Sequence, residues 1–390
     1  MLSVLFRMAS LLLAAIAVPL SVLLLQAGMS WESKVFGVAG LLIGLGPMLI
    51  CIGKERESKR FEMTGFGACL GWVILTGWLA IVAPAGTAGE GARIQHRYVK
   101  ETSRFRPHAL GNLLPELDQF LLGFKLVPLM DRLFTSGQAH RLSQLTTEIY
   151  QELEADPDFH ALGSVMPQTY DDLWFQRADH GHYFLYVPTN LRRDTPAPAM
   201  VFLHGSGGNF KAYPWLLAEV ADELGMVLIC PSYGMGNWTS KDSAKLIQQT
   251  LSDAKRAVSI DSKQIHLMGL SNGGLGVGHV ARDLGDQFKS ITLISPVVDR
   301  EVIQTPKFFV KWKGKPVCII SGAEDDRVPL SSLEGAASAM TKKGIQVTLK
   351  AIPSADHFLL FSHRQEVIAQ LKAWLKAPVV LTPAAAEGSP

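Results

Sequence analysis

Cysteine is scarce in this 390-residue chain: four residues, Cys51, Cys69, Cys230 and Cys318, with no CxxC pair among them. That excludes a disulfide framework and the usual zinc spacings. Charge of one sign is missing as well, since 37 basic side chains face 35 acidic ones for a net +2. No basic stripe is interleaved with aromatics, so no nucleic-acid partner is expected. There is no internal repeat and no G-x-x-x-x-G-K-[ST] phosphate loop. What remains is an excess of apolar residues, with a mean hydropathy of +0.18 that is high for a soluble protein.

That excess is concentrated near the N-terminus. Met8–Met29 and Val35–Gly53 carry no charge, and Met63–Gly89 repeats the theme with Trp72 and Trp78. Each stretch approaches or exceeds the roughly 20 apolar residues that cross a hydrocarbon core. Residues 1–89 therefore read as an all-α transmembrane region of about three helices. The alternative is a signal peptide followed by a hairpin, but the first run is too long for an ordinary h-region and two more follow it. Gly40-xxx-Gly44 and Gly67-xxx-Gly71 place small residues one turn apart, as close helix contacts require. The 54–62 loop holds Lys54, Arg56, Lys59 and Arg60, against only Lys34 in the preceding loop. By the positive-inside rule the 54–62 loop is cytoplasmic, and the rest of the chain faces the extracytoplasmic (periplasmic) side. Arg93, Arg97, Lys100, Arg104 and Arg106 argue the other way, although long domains translocate largely regardless of charge.

Residues 90–165 read as a helical connector. Its segments 114–134 and 139–157 have apolar residues at helical spacing. Pro128 kinks or breaks the first, and Asp156-Pro157 ends the second. The face formed by Phe120, Leu121, Phe124 and Leu126 is expected to pack on its own domain rather than on a bilayer.

From residue 166 to 377 the rhythm changes. The stretches "YDDLWFQRAD" and "HYFLYVP" read as an antiparallel pair of strands. Six short apolar runs follow ("AMVFLHG", "MVLICPS", "QIHLMGLS", "SITLISP", "PVCIISGAED", "QVTLKAIP"), separated by helical stretches near 212–224, 241–258, 273–284, 331–343 and 364–376. Such alternation implies an α/β fold with a mostly parallel eight-stranded sheet covered by helices on both faces. Chemistry in such sheets sits at the carboxyl ends of the strands. Residues 378–390, "VVLTPAAAEGSP" with its flank, read as a disordered tail.

Four segments at those ends carry reactive groups. Gly269-Leu270-Ser271-Asn272-Gly273 fits G-x-S-x-G between a strand and a helix, the setting of a nucleophile elbow. A serine hydroxyl needs a base to take its proton, and His357 in "IPSADHFLLF" follows the last strand. An imidazole in turn needs an acceptor to fix its tautomer. "SGAEDDRVP" offers Asp325 with Asp326 in reserve, and Asp299 after "ITLISPVV" is a third possibility. "FLHGSGGNF" ends a strand in a glycine-rich loop, so backbone N–H groups of Ser206 or Gly207, with that of Asn272, are candidates for an oxyanion hole. Trp215, Tyr233 and Trp238 either line an acyl pocket or pack loops.

Together "HGSGGN", "GLSNGG", "GAEDDRVP" and "SADHF" resemble the α/β-hydrolase superfamily over residues 170–377. The nearest branches in pattern are those of carboxylesterases, feruloyl esterases and dienelactone hydrolases. The resemblance implies the chain order Ser–Asp–His and an acid in a G-x-x-D-x-x-V-P stretch, here Gly322, Asp325, Val328 and Pro329. It also implies a serine hydrolase that cleaves carboxylic esters through Ser271, His357 and Asp325 without metal or organic cofactor; the expected substrate is a small-molecule or lipid-like ester, the membrane region suggesting a lipid-derived or envelope one. A peptidase, amidase or thioesterase on the same fold is the alternative, and a non-catalytic membrane scaffold is a more distant one. The expected partner of the N-terminal helices is the lipid bilayer.

Overall fold

The computed structural model describes the chain apart from residues 1, 85–90, 100–111, 131–133, 167, 170–180, 193–194, 239–241 and 377–390. It contains two compact units. One comprises Met1–Thr87 with Pro107–Val165, the other Ala88–Arg106 with Met166–Pro390.

The first unit is helical. Helices α1 (Leu2–Ala27), α2 (Trp31–Glu55) and α3 (Lys59–Val82) are long and apolar enough to cross a membrane. Their large side chains point outward, and Ile81 is 82% exposed. Contacts between the helices run through small residues. A Cβ on Gly65 would stand 2.6 Å from the Gly46 carbonyl, so α2 and α3 approach closely there. Gly40 and Gly44 lie against Ser21 and Val18 of α1, as the first glycine pair leads one to expect. The second pair does not behave this way: Gly71 meets only Leu42, and a Cβ on Gly67 would touch nothing within 4 Å. Glycine spacing alone does not say which side of a helix faces its neighbour.

Helices α4 (Glu116–Met130) and α5 (Ser136–Glu154) and the short α6 (Pro157–Ala161) complete this unit. A capping box between Thr135 and Gln138 opens α5. Phe120 stacks on Phe124 and meets Tyr150 of α5 at 5.8 Å, so this part of the α4 face packs within the protein. The buried Asp118 carboxylate accepts the N–H of Met29 at 2.6 Å and the hydroxyl of Ser33 at 2.6 Å. It thereby satisfies donors at the start of α2 and places a negative charge at the positive end of that helix.

The second unit is an eight-stranded sheet. Its strands are β1 (Ile94–Tyr98), β2 (His182–Tyr186), β3 (Ala197–Leu203), β4 (Val227–Pro231), β5 (Ile260–Leu270), β6 (Ser290–Ile294), β7 (Pro316–Gly322) and β8 (Gln346–Ile352). The spatial order is β1-β2-β4-β3-β5-β6-β7-β8. β2 pairs antiparallel with both β1 and β4, and the pairings from β4 through β8 are parallel. This is the α/β-hydrolase fold. Val201, Ile229, Leu267, Ile291 and Val317 lie in one buried core cluster. Burying each contributes about 1.5–3 kcal/mol relative to exposure.

The first strand departs from the expected organisation. The stretch 90–165 is not a single helical connector, because Ile94–Tyr98 joins the sheet in register with Tyr186–His182. Ile94 and His96 point inward, and Arg97 donates to the hydroxyl of Tyr183 at 3.1 Å and to Asp253 at 3.4 Å. Five residues as polar as Ile-Gln-His-Arg-Tyr carry little strand signal by themselves; β2 supplies the partner. The strand expected at Tyr170–Asp179 and the tail at 378–390 lie outside the described residues.

Candidate active site

Ser271 stands one residue past β5, where the chain turns into the Gly273–Leu284 helix. Its φ is +49°, in the left-handed region that non-glycine residues seldom occupy. The turn holds because its neighbours leave room. A Cβ on Gly269 would lie 2.7 Å from the Gly273 carbonyl, and one on Gly273 would collide with the Leu203 carbonyl. The glycines of G-x-S-x-G are thus explained by strand–helix proximity, and the serine is lifted out, half-buried, at the sheet edge.

His357 and Asp325 arrive from the ends of β8 and β7. The two loops are stitched together: Ala323 N–H donates to the Ile352 carbonyl and Glu324 N–H to that of Ala355, both at 2.9 Å. A side chain on Gly322 would strike the Ala355 carbonyl, which explains the glycine that opens G-x-x-D. Ser271 Oγ lies 2.9 Å from His357 Nε2, and His357 Nδ1 lies 2.9 Å from Asp325 Oδ2. The carboxylate can only accept, so Nδ1 carries the proton and Nε2 faces the serine as the basic nitrogen.

The Asp325 side chain is fully buried and that of His357 is 8% exposed. Burial works against a charged Asp325, but its bonds outweigh that cost. The His357 imidazole, and after it the Val328 N–H, hold the carboxyl below the usual range. Asp325 Oδ1 accepts from Arg327 N–H at 3.0 Å and from Val328 N–H at 2.8 Å. These amides account for the spacing between Asp325 and Val328-Pro329. The reserve carboxylates are elsewhere. Asp326 is exposed, whereas Asp299 caps the helix Arg300–Ile303 by accepting from Glu301 and Val302 N–H.

The loop after β3 lies beside the serine: a Cβ on Gly205 would come within 3.2 Å of Ser271 Cβ. The three amides named from the sequence differ in one respect. Gly207 N–H already donates to the Met235 carbonyl at 3.0 Å, so it is spent. Ser206 and Asn272 N–H have no acceptor among the described residues, and the Asn272 side-chain amide reaches Ser206 Oγ at 2.7 Å. Two buried groups, His204 and Trp238, hold this loop. His204 bonds to the Gly205 carbonyl through Nδ1 and receives Tyr233 N–H on Nε2, while Trp238 Nε1 donates to the His204 carbonyl. Burial, aided by nearby His182, presses His204 down to about 4 against the pull of the Gly205 carbonyl, so it is a neutral structural residue at pH 7. Trp238 is fully buried and stacked on Tyr233 at 5.0 Å, which makes it loop packing rather than pocket wall. Trp215 lies under the Arg364 guanidinium.

No group of three or more His, Cys, Asp or Glu side chains among the described residues has metal-binding geometry. What the arrangement offers is a polarised hydroxyl, a base with its orienting carboxylate, and two unspent amides beside them.

Comparisons with known proteins find similarity to hydrolases. The model of the prolyl oligopeptidase family matches residues 301–379, a stretch that contains Asp325 and His357 but not Ser271. Feruloyl esterase B of Thermothelomyces thermophilus is 32% identical over 130 residues, 29% of this chain and 43% of that protein. The bifunctional acetylxylan esterase/xylanase XynS20E of Neocallimastix patriciarum is 25% identical over 158 residues, 39% of this chain and 22% of that protein. The chain thus spans less than half the length of either relative. Among solved structures, Est1E from Butyrivibrio proteoclasticus aligns over 50% of this chain and 93% of its own, with 20% identity and a TM-score of 0.41.

Proposed function

We propose that this protein is a membrane-anchored serine hydrolase that cleaves carboxylic esters. The observation that carries the reading is the unbroken chain Ser271 Oγ–His357–Asp325, with both links at 2.9 Å. The similarity to two esterases supports the choice of ester as the bond cleaved. Ser271 attacks the ester carbonyl while His357 Nε2 takes the hydroxyl proton, and Asp325 stabilises the imidazolium that results. The developing oxyanion is received by the N–H groups of Asn272 and Ser206, each worth roughly 3 kcal/mol of transition-state stabilisation. His357 then protonates the leaving alcohol. Water, activated by the same base, releases the acid from the acyl-enzyme and restores Ser271. The helices α1–α3 anchor the chain in the bilayer, with the basic 54–62 loop cytoplasmic and the sheet unit on the other side.

A fluorophosphonate probe tests the assignment directly. The wild-type protein should be labelled and Ser271→Ala should not; equal labelling of the two removes Ser271 from the role. A second reading, peptide-bond cleavage, is favoured by the match to the prolyl oligopeptidase family. Turnover of nitrophenyl esters without turnover of peptide anilides supports the esterase, and the opposite preference supports the peptidase.

A further inference from the structure

The two unspent amides of the site belong to residues 66 positions apart in the chain. Asn272 opens the helix after the serine, and Ser206 lies in the loop after β3. A donor helps a developing oxyanion only when it stands about 2.7–3.1 Å from it, so two donors on separate segments need something to fix their spacing. The loop has few means of doing so. Around Ser206 stand Gly205, Gly207 and Gly208, the last two with φ of +100° and +122°. Ser206 is thus the one residue of 205–208 with a side chain to anchor. Gly207 N–H ties the loop to the Met235 carbonyl, in the segment after β4. Toward residues 271–276, one hydrogen bond crosses among the described residues: Asn272 Nδ2 donates to Ser206 Oγ at 2.7 Å.

The position of Asn272 gives this bond its meaning. The residue is the N-cap of the Gly273–Leu284 helix, where an asparagine side chain ordinarily accepts an N–H of the first turn. Asn272 makes no such cap bond. Its side-chain amide reaches the neighbouring loop instead. A residue type suited to capping its own helix is here engaged with the segment that carries the other amide.

From this placement we infer that the Asn272–Ser206 side-chain bond is a clamp: it sets the distance between the two backbone N–H groups that receive the oxyanion. Both side chains are positioning groups, separate in role from the backbone amides of the same residues. The inference rests on the Ser271–His357–Asp325 reading. Ser206 is exposed, so water replaces the bond when it is lost, and breaking it disturbs alignment more than stability.

Removing either side chain keeps the backbone amides and costs no helix cap, since Asn272 makes none. In the full-length protein held in detergent micelles, Asn272→Ala and Ser206→Ala should each lose about tenfold in kcat on a nitrophenyl ester, with KM unchanged. The double variant should lose no more than either single one, because all three break the same bond. Ser206→Thr keeps the hydroxyl at an exposed position and should stay within about threefold of wild type. Wild-type kcat in the single variants overturns the inference. So does a double variant slower by about a hundredfold, since the two side chains then act separately. A Thr variant as slow as Ser206→Ala overturns it as well, since the hydroxyl then contributes nothing. A loss of kcat matched by a fall in the thermal midpoint does the same, because a folding defect then explains the rate. Failure of the parent reading looks different: wild-type protein is then unlabelled by fluorophosphonate, or Ser271→Ala is labelled like wild type.

Discussion

The two units are built from much the same apolar residues and arrange them in opposite ways. In α1–α3 the bulky side chains point outward, Leu12 at 64% exposed and Ile81 at 82%, and glycines occupy the contacts between helices. In the sheet unit Val201, Leu267 and Ile319 are completely buried, and glycines crowd the turns where strands give way to loops and helices. The proposed bilayer setting of α1–α3 accounts for the difference. Water drives apolar side chains together, so the sheet gains by burying them. Lipid gives no such drive between helices, so association depends on close backbone approach, which only small residues permit. The contact glycines therefore let helices approach one another in one unit and let turns close at strand ends in the other.

That contrast can be broken most severely at Gly273. Ala there drives a Cβ into the Leu203 carbonyl, and we expect a loss of more than about 3 kcal/mol together with loss of fluorophosphonate labelling. Thermal unfolding and probe labelling read the two effects.

Acid exposes a second difference, because the sheet unit buries neutral histidines. Burial, with the charge of Lys289, lowers His266 from 6.5 to about 4, and burial is likewise the main cause at His204. A base with a lowered folded value contributes stability that is complete above its unfolded value. That stability is lost as pH falls from about 6.5 through 4. Each of the two should remove up to about 3 kcal/mol over that window. Denaturant unfolding at pH 7 and pH 4.5 measures the loss, and His266→Gln should flatten the curve.

The smallest effects separate two glycines within the helices. Gly46→Leu should destabilise the helical unit by about 2 kcal/mol, because a side chain there presses on Cys69 and the Gly65 carbonyl. Gly67→Leu should change stability by less than about 0.5 kcal/mol, because that position opens away from the helices. Thermal unfolding in detergent micelles checks the pair. Equal losses would mean that small residues in α3 are not set by contact with α2.

Much of the fold and of the site is legible before any coordinates. Six of the expected strand runs become β3–β8, and the helices 212–224, 273–284 and 364–376 fall where periodicity puts them. Ser271 and Asp325 each sit in a short motif whose glycines have a local steric purpose, and His357 follows directly on the last strand, so position in the sequence carries all of them. β1 is not legible, since its residues become a strand only when β2 lies alongside. The choice between Ser206 and Gly207 was equally closed to sequence, because it turns on the Met235 carbonyl, 28 residues away, which spends one amide and leaves the other.

The sequence by itself determined what repeats or crowds locally: the apolar lengths of α1–α3, the strand–helix alternation, and the glycine-flanked serine. These depend on neighbours within a few residues, where sterics and hydrophobic period act directly. Only the tertiary structure decided which glycines touch a partner helix, which amide stays unspent, and that Ile94–Tyr98 becomes a strand. Each of those depends on a hydrogen bond or contact between chain segments far apart in sequence, and so on packing that no local pattern encodes.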